Sequence, residues 1–285
     1  MKKIVGIGIV VLLVTIYLGI KMYTSNVAKE KVNVAIAKGA NFVDVDYKKV
    51  SVDLLGMDVR VSDILVSPAG AKEKIKIDEI IIHDIDDKSE IPTFLSASFN
   101  GIELNLKELG ADKEIRELGY NDKILVNLYA DYIYDKEKKE LNVKKIGVWV
   151  DDAGEINISF HLGNIDLNPE KILELLFTYP QIMLYKAKVT YEDESLTERL
   201  IKLEAKEKNI DAKEFKMSLI KEIEKEIERE KDDFTKKALV EIKEFIDDPE
   251  EFSISVSPSK PYPLGRIMRV NDPKDMIKLL NIQIK

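Results

Sequence analysis

The chain has 285 residues, 45% of them hydrophobic, with 44 Lys and Arg against 52 Asp and Glu and a net charge of −8. An acidic balance without a basic run argues against nucleic-acid binding, which needs a basic face. Cysteine is absent, which excludes disulfides, thiol nucleophiles and Cys-held metals. Gln is confined to Gln181 and Gln283, while Lys, Glu and Ile abound. That bias is typical of hyperthermophile proteins, and an AT-rich genome gives a similar one.

The run from Ile4 to Ile20 carries no charge. As a helix it spans roughly 26 Å at ~1.5 Å per residue, close to the ~30 Å hydrocarbon core of a bilayer. Lys2 and Lys3 precede it, and positive charge beside a first span tends to stay in the cytoplasm. The expectation is a single-pass inner-membrane protein with its N-terminus in the cytoplasm and its bulk in the periplasm. A cleaved signal peptide is the rival reading, but Lys21-Met22-Tyr23-Thr24-Ser25-Asn26 offers no clean small-residue cleavage site. Without Lys2, Lys3 and Lys21, the remainder keeps 41 Lys and Arg against 52 Asp and Glu, a net charge of −11.

After residues 1–23 as anchor, residues 24–40 read as a helical stalk, with Gly39 as its C-cap. Residues 41–167 read as an antiparallel sheet region. Val43, Val45 and Tyr47 alternate with polar residues, then Val50, Val52 and Leu54, then Val59 and Val61. Ile75, Ile77, Ile80 and Ile82 follow, then Ile102, Leu104 and Leu106. Period-two alternation is the mark of half-buried strands. Tyr47 to Val50, Ile77 to Ile80 and Val143 to Ile146 each skip three positions. Either a bulge restores the phase and bends the strand, or a turn separates two short strands. Asp112 to Leu118 reads as a short helix closed by Gly119. Ile124, Val126, Leu128, Ala130, Tyr132 and Tyr134 form the longest clean alternation. A charged hairpin loop (135–140), the turn Asp151-Asp152-Ala153-Gly154 and the run Ile156 to Leu162 complete a three-stranded meander.

Residues 168–285 read as mainly helical, with two or three strands packed on the sheet. Pro169 sits at a first helical position, and Met183 to Tyr191 is a strand. Ser195-Leu196-Thr197-Glu198 has the pattern of a capping box. Phe215, Leu219, Ile223 and Ile227 recur at four-residue spacing, as do Phe234, Ala238, Ile242 and Phe245. Phe252, Ile254 and Val256 form a last strand, and Asn271-Asp272-Pro273 opens a final helix. The expected fold class is α+β: an N-terminal transmembrane helix, a curved antiparallel sheet of bulged meanders, and a helical C-terminal layer.

No reaction can be read from this sequence. His83 and His161 have no partners at metal-ligand spacing. Asp84, Asp86, Asp87 and Glu90 lack the fixed Gly and terminal Glu of a calcium loop and read as a solvated turn. Phosphate loops and nucleophile elbows are absent, and no carboxylate pair stands out. No catalytic, cofactor-binding or metal residue is assigned. The candidate site is an apolar groove lined by Val43, Val45, Val52, Ile75, Ile77, Ile102 and Leu104.

Tyr47-Lys-Lys-Val-Ser-Val-Asp-Leu-Leu-Gly56 and Ile75-Lys-Ile-Asp-Glu-Ile-Ile-Ile82, behind an N-terminal anchor, resemble the strand repeats of AsmA-like and YdgA-like bacterial envelope proteins. Leu118-Gly119-Tyr120, the meander from Tyr132 to Leu162, Ala187 to Leu196 and Phe245 to Pro263 resemble uncharacterised anchored envelope proteins. The AsmA-like resemblance implies sheet grooves that hold lipid and carries over no catalytic residue. The expected function is therefore non-enzymatic: a membrane-anchored periplasmic protein binding lipid or another apolar ligand. The alternative is an envelope scaffold that binds a partner protein through a sheet edge or helical face. No cofactor is expected.

Overall fold

The computed structural model describes residues 29–30, 33, 36–37, 43–53, 58–68, 74–86, 88–89, 92–109, 112–167 and 175–285. The anchor (4–20) lies outside the described residues. Among those described, no helix is long and apolar enough to cross a membrane.

The strands are β1 (Val43–Asp46), β2 (Lys49–Val52), β3 (Val59–Pro68), β4 (Ile75–Ile85), β5 (Phe94–Asn105), β6 (Lys123–Asp135), β7 (Glu140–Val150), β8 (Gly154–Gly163), β9 (Met183–Asp193), β10 (Glu251–Val256), β11 (Tyr262–Pro263) and β12 (Gln283–Ile284). They join in one sheet in the order β1-β3-β4-β5-β6-β7-β8-β9-β10-β12, with β2 on β3 and β11 on β9. Every pair described is antiparallel. Helices α1 (Leu106–Leu109) and α2 (Asp112–Glu117) lie between β5 and β6, and α3 (Leu175–Thr178) between β8 and β9. Helices α4 (Leu196–Glu207), α5 (Ala212–Arg229) and α6 (Asp233–Asp247) form an excursion between β9 and β10. Helices α7 (Leu264–Ile267) and α8 (Pro273–Leu280) precede β12.

This corrects the expected α+β class. Among the described residues, the molecule is one large antiparallel sheet of 12 strands with few helices, in place of a smaller sheet under a helical layer. The physical reason is the edge. A strand left unpaired exposes a row of backbone donors and acceptors, so the chain leaves β9 for α4–α6 and then returns as β10 beside it. The amphipathic stripes of α5 and α6 are helical, but no residue of either helix is buried. Their contact with the sheet is local: Phe245 of α6 meets Tyr191 and Phe252, with ring centroids 5.9 and 5.7 Å apart.

A crease crosses the first strands. Between β1 and β2, Tyr47 and Lys48 interrupt the edge. Opposite them Asp63 of β3 has φ 55°, and across β4 from Asp78 stands Gly101 of β5, with φ 66°. A side chain at Gly101 would collide with the Asp78 carboxylate, and only glycine adopts this conformation at low cost. Gly101 N donates to Asn127 Oδ1 at 2.8 Å. The crease is why Ile77 and Ile80, three positions apart, are both buried within one continuous strand. The skip at Val143–Ile146 is a register shift inside β7, the bulge form of the two alternatives. At Tyr47 the strand breaks.

Helix α4 starts in a way that differs from its capping-box pattern. Ser195 precedes the helix but makes no capping bond. Asp193 Oδ1 instead accepts from Thr197 N at 2.9 Å and from the Thr197 hydroxyl at 2.8 Å. Ser195 Oγ donates to Asp152 O in the β7–β8 turn, which ties the helix start to the sheet.

Candidate functional site: an apolar sheet face, half closed and half open

Side chains directly opposite on paired strands point to the same face, so the register can be followed across the sheet. One row runs Val52, Val59, Ile82, Ala97, Ala130, Ile146, Ile158, Val189, Ile254 and Ile284, through β2 to β10 and then β12. A neighbouring row runs Val50, Val61, Ile80, Phe99, Leu128, Val148, Ile156, Tyr191 and Phe252. Both rows are apolar throughout, apart from the Tyr191 hydroxyl.

Burial divides this face. In the first row Val59, Ile82 and Ala97 are 4%, 4% and 1% exposed, whereas Ile158, Val189 and Ile254 are 37%, 44% and 42% exposed. In the second row Val61, Ile80 and Phe99 are buried while Val148 and Ile156 are exposed. The half on β3–β5 is the core: a cluster including Ile64, Ile77, Leu95, Phe99 and Ile102, with Ile36 packed against it. Among the described residues, the half on β7–β10 leaves aliphatic side chains at the surface.

The open half is bounded at both strand ends. At one end Tyr134 is buried and its hydroxyl donates to Ile165 O at 3.0 Å, while Leu184 is buried beside Tyr262 of β11. At the other, Tyr191 donates to Asp193 Oδ1 at 2.6 Å and to Ala153 O at 3.2 Å, under Phe245. Burial, and then the Asp193 carboxylate, raise the Tyr191 pKa far above the ordinary tyrosine range. Nearer the core, burial pushes Tyr132 up to about 12. Both phenols are neutral hydrogen-bond donors at physiological pH.

The opposite face of the same strands is polar. Asn157, Thr190 and Ser253 stand in register, and Lys145 pairs with Glu155 at 2.8 Å. Trp149 Nε1 donates to Glu194 Oε1 at 2.8 Å.

The groove residues expected from sequence fall on the closed half. Ile77 and Ile102 oppose each other inside the core. Val45, Val52, Ile75 and Leu104 are partly buried around it. Val43 opposes Pro68 in register, and its side chain lies outside the description. The expected groove omits Val148, Ile156, Ile158, Val189 and Ile254, which the sequence places in strands whose alternation is as regular as that of the core strands. No sequence signal marks them as exposed, because the stripes of α5 and α6 read as an apolar layer able to cover them.

His83 lies between Ser98 Oγ at 2.9 Å and Asp58 Oδ2 at 3.4 Å. His161 bonds Glu140 Oε2 at 3.1 Å and stacks on Tyr185. In the acidic loop, Asp86 is consumed by its own turn. Its oxygens accept from Lys88 N, Ser89 N, Thr93 N and the Thr93 hydroxyl at 3.1, 3.3, 3.0 and 2.7 Å. Ser89 first, and then Thr93 and Lys88, hold its carboxyl far below the usual range, against the opposing effect of burial. Among the described residues, no group of three or more His, Asp or Glu is placed to hold a metal ion.

A family model described as "Uncharacterized protein" matches residues 148–285. The chain is also similar to an "Uncharacterized protein" of Aquifex aeolicus (strain VF5), 28% identical over 310 residues, with all of both chains covered. The expected likeness to uncharacterised proteins is therefore met at that level, and neither match shows AsmA-like repeats. The span of the family model holds β8–β12 and α3–α8, hence most of the open half.

Proposed function

We propose that the protein is a membrane-tethered binder of lipid, or of another ligand with an extended aliphatic part, and that the ligand lies on the open half of the sheet face. The observation that carries this reading is the in-register patch of Val148, Ile156, Ile158, Val189 and Ile254, exposed on the face whose other half is core. Exposed apolar area is unfavourable by about 25 cal/mol per Å², and contiguous apolar patches mark binding surfaces. The exposed part of the patch is wholly aliphatic. Protein interfaces favour Tyr, Trp and Arg at their centres, whereas hydrocarbon chains need only apolar contact. The charge-free run at residues 4–20 supports a membrane tether, with the sheet on the periplasmic side. The AsmA-like resemblance of residues 47–56 and 75–82 agrees with this reading, because it implies sheets that hold lipid.

The test is mass spectrometry of lipid co-purifying with the full-length chain. Wild type is expected to carry lipid. An Ile158→Lys, Val189→Lys double variant is expected to lose it at an unchanged melting temperature. A wild-type protein free of lipid would sink the reading. A second reading is favoured by the filled state of the β3–β5 core: the open face then docks a partner protein, making this a scaffold. It predicts no bound lipid and a partner whose capture is lost in the same double variant.

A further inference from the structure

Where the β7–β8 turn meets helix α4, a pocket of about 450 Å³ lies between the Leu118–Gly119 loop and the helix. Arg199, Lys202 and Lys206 line it, with Glu117 and Glu198 as its carboxylates. Spacings of three and four place the cations on one stripe of the helix. Three cations to two carboxylates reverses the balance of a chain with 44 basic and 52 acidic residues.

Arg199 is fixed in position. Its Nε donates to Ser195 Oγ at 2.9 Å, its Nη1 donates to Leu118 O at 3.2 Å, and the guanidinium lies 4.4 Å from the Tyr120 ring centre. Lys202 pairs with Glu198 at 2.7 Å, and Lys206 has no ion pair among the described residues. The Glu198 carboxyl is held below its usual range, first by the Lys202 hydrogen bond and charge, then by the charges of Arg199 and Lys216.

The pocket and the apolar face end on one turn. The Ser195 and Tyr120 hydroxyls both donate to Asp152 O. The next carbonyl, Ala153 O, accepts from Tyr191, the last side chain of the open row on β9. Leu118 and Leu203 give the pocket apolar walls beside its cations. We propose that this pocket takes the phosphate of a lipid headgroup whose acyl chains lie along the open face. The assignment rests on the lipid reading of that face. It adds a ligand class: phosphate-bearing, anionic lipid in preference to uncharged lipid.

The experiment compares short-chain phosphatidylglycerol with the diacylglycerol of the same chain length, titrated into the full-length protein below micelle formation. Wild type is expected to bind the phospholipid at least ~10-fold more tightly, about 1.4 kcal/mol. In a Lys202→Gln, Lys206→Gln double variant the preference is expected to fall below ~3-fold, with diacylglycerol binding unchanged. Arg199 is left intact because it also braces the loop. Equal binding of the two lipids by wild type, or a preference that survives in the variant, overturns the pocket while leaving the open-face reading in place. Failure of both lipids to bind overturns both. A third arm uses inorganic phosphate alone. If it raises the melting temperature of wild type as much as the phospholipid does, and not that of the variant, the ligand is free phosphate and the headgroup assignment falls.

Discussion

The two halves of the sheet face are built from the same alphabet and end in opposite states. Val59, Ile82 and Ala97 continue into Ile158, Val189 and Ile254 along one row of paired residues. On β3–β5 the row is sealed, and on β8–β10 it is open. Alternation of apolar and polar residues therefore specifies a face and leaves its cover unspecified. The difference lies in what surrounds each half. The first has the crease at Asp63, Asp78 and Gly101 to bend the strands, and Ile36 packed against its cluster. Among the described residues, the second meets α6 at its strand end, through Phe245 against Tyr191 and Phe252.

The comparison is broken most sharply by charge. Ile77→Lys places an unpaired ammonium in the core and should cost on the order of 4 kcal/mol or more, seen as loss of a cooperative melt. Ile158→Lys on the same face should change stability by less than ~1 kcal/mol. Equal damage would mean that the second half is closed too.

Truncation is the milder version. Phe99→Ala should cost ~3–5 kcal/mol in denaturant unfolding, and Ile156→Ala, three strands along the same row, under ~1 kcal/mol because its side chain is already half in water.

The crease sharpens the contrast. Gly101→Ala meets both a positive φ and the Asp78 carboxylate, and should cost ~1–3 kcal/mol. Gly147→Ala, with ordinary φ and side-chain neighbours only, should cost less on the same melt.

The smallest effect is at the rim of the closed half, where the Asp86 turn braces β4 against β5. Asp86→Asn should cost ~1–2 kcal/mol at pH 7. The native pKa is depressed, so this stabilisation is fully present above the unfolded-state value of ~3.9 and is lost as pH falls towards and through the native one. The gap between wild type and variant should therefore close below about pH 4, and a gap independent of pH would contradict the ionised turn.

Much of the strand pattern was legible. The alternation from Ile124 to Tyr134 became β6, Asp151-Asp152-Ala153-Gly154 became the β7–β8 turn, and the skip at Val143–Ile146 became a bulge. The extent of the sheet was not legible, because local periodicity carries no information on which strands pair across a long excursion such as α4–α6. The capping residue of α4 was missed for a related reason. Ser195 has the right spacing, but the β7–β8 turn, remote in sequence, recruits its hydroxyl and leaves Asp193 to cap. The candidate surface was placed on the closed half because exposure depends on the rest of the chain, and the strands of both halves read alike.

The most direct test exploits a chain without cysteine. A polarity-sensitive fluorophore is attached to Ile158→Cys in the full-length protein and, as a control, to Glu155→Cys on the polar face of the same strand. Short-chain phospholipid is then titrated in below micelle formation. A saturable blue shift at 158 with none at 155 is the predicted result, and no shift at 158, or equal shifts at both, would contradict a lipid-binding open face.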